Sequence, residues 1–158
     1  MRWQWTDFQH LSLEDLYALM RLRQEVFVVE QDCPYIDADN QDQKAHHLLG
    51  WKEGSLVAYL RAFPPGVVYT EAAIGRVVTS ALARGTGLGR PLMREGIRCV
   101  AETWGAGPIK LSAQSHLEAY YNSLGFDVCG EGEALALAPG SNQGVQVQPF
   151  CSQLVLAI

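Results

Sequence analysis

Three glycines at alternate positions carry the clearest chemical signal in this chain, in the run Arg84-Gly85-Thr86-Gly87-Leu88-Gly89. Ile74, Val77 and Val78 precede it, and Met93, Ile97, Val100 and Trp104 follow at three- and four-residue steps. The spacing predicts a strand over 74–79 that turns through the glycines into an amphipathic helix. Such a turn suits an anion. The first N–H groups of a helix have no partner within it, and the helix dipole adds positive charge at that end. Glycines let a phosphate approach the backbone, and Arg84 supplies a formal charge. A P-loop would need Gly-Lys-Ser/Thr where this chain has Gly-Arg-Pro, and a GxGxxG dinucleotide fingerprint fails because position 90 is Arg. What remains is either an R-x-x-G-x-G phosphate loop or an ordinary glycine-rich turn.

A second group of reactive types lies between residues 23 and 47. Asp32, Asp37, Asp39 and Asp42 follow Glu30. A calcium loop beginning at Asp37 would need Gly at 42 and Glu at 48, but those positions hold Asp and Leu. The run reads either as a solvated acidic face or as an acidic entrance that attracts a cation. His47, which begins a strand, offers an imidazole that titrates in the useful range for a base. Glu25, Glu30, His46 and His116 are further base candidates. Arg23 and Glu30 could pair to hold the first helix in shape.

These residues must be positioned by alternating strands and helices. Trp3 and Trp5 open a first strand. Ser12 with Asp15 three residues on caps a long helix over 13–31, with Leu13, Leu16, Met20, Arg23 and Phe27 on one face. A hairpin follows, with strands over 46–51 and 56–63, ended by Pro64-Pro65-Gly66. After the glycine loop and its helix come a strand over 108–113, a short helix over 116–124 closed by Gly125, and a strand over 126–129. The order predicts one α/β domain with a mixed sheet. Near the end, either 145–148 or 154–158 could form a last strand.

The chain has 158 residues, 48% apolar, with net charge -5. That is enough for one domain with a core, and the charge argues against nucleic acid as the main partner. No apolar run is long enough to span a membrane. Cys33, Cys99, Cys129 and Cys151 are widely separated, so they read as free thiols of a reducing, cytoplasmic compartment, with no metal site implied.

Three stretches resemble the GNAT N-acyltransferases, and within them the ElaA-like subgroup. They are the glycine loop with its flanks; Ala119-Tyr120-Tyr121-Asn122-Ser123-Leu124-Gly125-Phe126; and the run from Leu22 to Tyr35, LRQEVFVVEQDCPY, with Asp37, Asp39, Asp42 and His47. The resemblance implies a GNAT fold, with a mixed sheet splayed between strands four and five and about four flanking helices, in a single domain over 1–158. It implies transfer of an acetyl group from acetyl-CoA to a primary amine, directly in a ternary complex, since no cysteine sits in an acyl-enzyme motif. A catalytically silent acyl-CoA-binding module is the alternative. Backbone N–H groups within Val77, Val78 and Thr79 would hold the thioester carbonyl. Arg84, Gly85, Thr86, Gly87, Leu88, Gly89 and Arg90 would hold the pyrophosphate, and Gln114 stands where many relatives place an Asn against the CoA arm. Tyr121 would be the general acid, with His47 the candidate base. Arg23, Phe27, Glu30, Asp37 and Asp39 would border the acceptor, a small molecule or peptide. A homodimer is compatible with this reading. The tail, 131–158, departs from the subgroup, lacking its Ile-Pro-His stretch, and Pro91 removes one N–H from the first turn of the helix after the loop.

Overall fold

The computed structural model describes residues 1–132 and 153–157. Ten elements organise them: β1 Arg2–Asp7, α1 Leu13–Arg23, β2 His46–Lys52, β3 Ser55–Phe63, β4 Ala72–Thr79, α2 Gly89–Trp104, β5 Ile109–Gln114, α3 Glu118–Asn122, β6 Asp127–Gly132 and β7 Gln153–Ala157. The strands form one sheet in the order β1-β2-β3-β4-β5-β7-β6. Neighbours are antiparallel except β4 and β5, which run parallel across the α2 crossover. The described residues contain three α-helices, against the expected four or so. The segment that closes the sheet between β5 and β6 is 153–157, overlapping the expected 154–158; the alternative, 145–148, lies outside the described residues.

One face of the sheet buries α2 and α3, the other α1. On one side, Leu48, Ala58, Leu60, Ala62 and Ile74 pack against Leu92, Met93, Cys99 and Val100 of α2. On the other, Leu49, Tyr59 and Val78 meet Leu19 and Leu22 of α1 and Val26 of the turns that continue it. Ser12 caps α1, its hydroxyl accepting from the Asp15 N–H at 3.0 Å. Leu13 does not join the buried stripe, being 81% exposed in the first turn. The helix runs on through Gln24–Glu30 with wider, i→i+5 turns, as the Gln31 N–H bonds the Val26 carbonyl and Cys33 the Val28 carbonyl.

β4 carries the irregularity that shapes the site. Tyr59 pairs with Val78 and Arg61 with Gly75, so two steps along β3 span three along β4. The extra residue is a bulge, and Arg76 within it has φ 51°. Because side chains alternate, one inserted residue exchanges the faces beyond it. Ile74 therefore packs with α2, whereas Val78 packs with α1 and Val77 turns to the α2 side.

Candidate acyl-CoA cleft and its ion network

The parallel pairing of β4 with β5 is short. It covers Ala72↔Ile109, Ala73↔Lys110 and Ile74↔Leu111 and then stops, although β4 continues to Thr79 and β5 to Gln114. The strands splay there, and Val77, Val78 and Thr79 lie along the open part of β4. Gln114 ends β5 on the opposite wall and is half-buried.

β4 leads directly into the glycine loop. A short turn, Ala81–Ala83, comes first, and the Thr86 hydroxyl donates to the Ala83 carbonyl at 2.6 Å. Gly85 and Gly87 have φ of 74° and 77°, and a Cβ at either would meet nothing within 4 Å. Both glycines are thus required by backbone conformation, and their Cα faces open space. Gly89 differs: a Cβ there would lie 2.8 Å from the Tyr120 hydroxyl. At this position a glycine therefore leaves clearance for a neighbouring side chain. Leu88 is half-buried against the main core, and Arg90 is exposed.

Arg84 is not an unengaged charge. Its guanidinium forks onto both carboxylate oxygens of Glu30 and donates to the Thr79 carbonyl at 3.3 Å. The partner expected for Glu30 was Arg23, but α1 carries Arg23 into the interior, while Glu30 sits at the helical end beside the loop.

Asp37, Asp39 and Asp42 form an ion network with three arginines instead of an open acidic entrance, whereas Asp32 is exposed. Arg23, with no exposed side-chain surface, donates from Nε to Asp37 at 2.6 Å and from Nη1 to Asp42 at 2.6 Å. Arg61 reaches Asp39 at 2.6 Å and Asp42 at 2.8 Å. Arg76 reaches Asp37 at 2.7 Å and Asp39 at 3.3 Å. The Tyr35 hydroxyl adds a bond to Asp37 at 2.9 Å. Three aspartates and three arginines leave the network no net charge, so Asp37, Asp39 and Asp42 lend no pull on a cation. Burial alone would raise the Asp39 pKa, but the bonds from Arg61 and the charges of Arg61 and Arg76 hold it down to about 2.

His47 belongs to the same network and cannot meet an acceptor. Its side chain is buried. Nε2 lies 3.0 Å from the Asp42 carbonyl, which can only accept, so Nε2 carries the proton. Nδ1 then accepts from the Tyr59 hydroxyl at 2.8 Å. Burial pushes the ring down to about 4, only partly offset by the Asp42 carbonyl. A neutral ring with both nitrogens occupied is a structural part, which corrects its reading as a base. The other base candidates are also engaged or displaced: Glu25 binds Arg21, and His46 packs between Trp5 and Trp104, while His116 is exposed in the short turn after β5.

Tyr121 is buried, edge-on to Tyr120 and Phe126 with ring centroids 5.0 and 6.0 Å away. Burial raises its pKa, so the phenol keeps its proton at any ordinary pH. Phe27 is half-buried beneath the Arg76 guanidinium, 6.0 Å from ring centroid to Cζ. Sequence reasoning did not single out Arg61, Arg76 or Tyr120. A charge inside the apolar run LVAYLRAF was the available signal for Arg61, since a strand interior demands carboxylate partners for it.

A parallel pair that opens beside a glycine loop and a helix N-terminus matches what the sequence comparison finds: the model of the acetyltransferase (GNAT) family matches residues 5–126. The chain belongs to the GNAT acetyltransferase family. Among its relatives, protein ElaA of Escherichia coli K12 is 42% identical over 127 residues, covering 78% of this chain and 83% of the relative. A UPF0039 protein of Synechocystis is 39% identical, covering 83% and 86%. A solved acyl-CoA N-acyltransferase from Pseudomonas aeruginosa superposes with TM-score 0.82 at 39% identity, over 99% of this chain and 97% of that one. The crystal structure of E. coli ElaA superposes with TM-score 0.79 at 34% identity, over the same shares. An aminoglycoside 6'-N-acetyltransferase complexed with coenzyme A shares the GNAT fold, with TM-score 0.67 at 15% identity. Among the described residues no helix is long and apolar enough to cross a membrane, and no His/Cys/Asp/Glu group could hold a metal ion.

Proposed function

We propose that this GNAT protein transfers an acetyl group from acetyl-CoA to a primary amine, directly and without an acyl-enzyme. The observation that carries the reading is that β4 parts from β5 after Ile74↔Leu111 and leads on to the left-handed Gly85 and Gly87 just before α2. The pyrophosphate takes N–H groups of residues 85–89, where the helix dipole and the open Cα positions of Gly85 and Gly87 favour an anion. The thioester lies in the splay, its carbonyl oxygen receiving backbone N–H groups from the bulged part of β4 as charge develops. Tyr121 gives its phenolic proton to the departing thiolate, and water, which takes up the amine's surplus proton, restores a proton to the phenolate. No side chain is assigned as base. The amine reacts as its neutral form and its surplus proton passes to water, so the rate climbs with pH toward the acceptor's own pKa.

That the acceptor is a cytoplasmic small molecule or peptide is part of the proposal. A silent acyl-CoA-binding module is the second reading, favoured by the engagement of both His47 nitrogens. Calorimetry with CoA, paired with Tyr121→Phe turnover, tests the scheme. The variant should bind CoA like the wild type and release thiol more slowly. Equal rates for the two proteins would remove Tyr121 from the chemistry.

A further inference from the structure

The β4 bulge is built around a residue that should resist it. Arg76 holds φ 51°, a region that side chains other than glycine, Asn and Asp rarely enter. It stands two residues beyond Ile74↔Leu111, the last pair joining β4 to β5. Its side chain is fixed at both ends of the guanidinium: Nε binds Asp37 at 2.7 Å, Nη2 reaches Asp39 at 3.3 Å, and the plane lies over Phe27. Those carboxylates do not move freely. Asp37 is buried and also held by Arg23 and Tyr35, and Asp39 by both Nη groups of Arg61.

We infer that Arg76 is a positioning residue for acyl transfer, tying the 31–45 segment to the β4 bulge so that the N–H groups following it stay aimed at the thioester carbonyl. The inference rests on the acyl-CoA reading of the cleft. An untethered L-residue would leave the left-handed region. Its relaxation would return β4 toward regular pairing and rotate the peptides of residues 76–78 away from the opening. The guanidinium acts through backbone geometry, and its charge is already matched by the aspartates.

The test reads the carbonyl stretch of carbon-13-labelled acetyl-CoA bound to the protein, by isotope-edited infrared spectroscopy, and needs no acceptor. In the wild type the band should shift to lower frequency than in free acetyl-CoA. In Arg76→Ala it should lose at least half of that shift, while acetyl-CoA affinity changes less than about threefold. Arg76→Gly removes the same tether yet occupies the left-handed region without strain, so it should keep most of the shift. If Arg76→Ala does not fold, Arg76→Lys replaces it, keeping the charge but losing the fork, with the same direction of change expected. An unchanged band in Arg76→Ala or Arg76→Lys overturns the inference, as does equal loss in Arg76→Gly, which would mean that the charge acts directly. If the wild type neither binds acetyl-CoA nor shifts its band, the cleft reading falls and the inference with it.

Discussion

Gly89→Ala and Tyr120→Phe should couple with a change of sign. A methyl at residue 89 would lie 2.8 Å from the Tyr120 hydroxyl oxygen but 3.5 Å from the ring carbon that bears it. The first distance is a clash and the second an ordinary contact. Overpacking of this kind costs about 1–3 kcal/mol. Against it, alanine in a helix gains about 0.5–1 kcal/mol over glycine. Gly89→Ala alone should therefore be neutral to about 2.5 kcal/mol destabilising, and in the Tyr120→Phe background it should become stabilising by up to about 1 kcal/mol. Tyr120→Phe itself should not destabilise, because the hydroxyl is buried with no hydrogen-bond partner among the described residues. Urea denaturation of the four proteins measures the cycle. Additive effects within about 0.5 kcal/mol would refute the packing role assigned to Gly89. CoA affinity should scarcely differ between Tyr120→Phe and the double variant. Gly87→Ala should instead weaken CoA about tenfold, since a left-handed alanine costs about 1–2 kcal/mol.

Other outcomes follow from the ion network and the loop. His47 falls from an ordinary 6.5 to about 4 in the fold, so its contribution to stability is complete above 6.5 and is lost as pH drops from there toward 4. At pH 5 the loss relative to neutral pH should be about 2 kcal/mol, and His47→Gln should flatten that part of the stability–pH curve; an unchanged slope would contradict the buried neutral ring. Arg23→Met leaves Asp37 and Asp42 short of a cation and should cost about 3–5 kcal/mol in urea unfolding, whereas a cost under about 1 kcal/mol would mean that the network is open to water. Glu30→Gln frees Arg84 for the pyrophosphate and should tighten CoA binding by up to about fivefold by calorimetry; weaker binding would show that the pair serves to hold the loop in shape.

The elements were legible because their signals are local. Ser12 with Asp15, the Pro64-Pro65-Gly66 break, the alternate glycines and the Gly125 stop each act within a few residues, and the elements appear near the expected bounds. The bulge was not legible in the run Ile74-Gly75-Arg76-Val77-Val78, which reads as plain strand. Gly75 inside a strand was the one available hint. The acids of residues 37–42 were visible, but their meaning depends on partners 14 to 39 residues away: Arg23 on α1, Arg61 on β3 and Arg76 on β4. Only the fold brings those cations beneath the segment, so an acidic entrance and a neutral buried network look alike in sequence. His47 was misread for the same reason, since its burial and its Tyr59 partner are properties of the sheet. The splay between β4 and β5 entered through the family resemblance, because no residue type marks the point at which two strands part.

Acetyl transfer to an amine is tested most directly by one measurement: free thiol and acetylated amine followed together while the protein turns over acetyl-CoA with a panel of polyamines, amino sugars and lysine peptides. It predicts that at least one amine raises thiol release, saturably, with one acetylated amine formed per thiol. Saturable CoA binding with thiol release that no amine accelerates would contradict it.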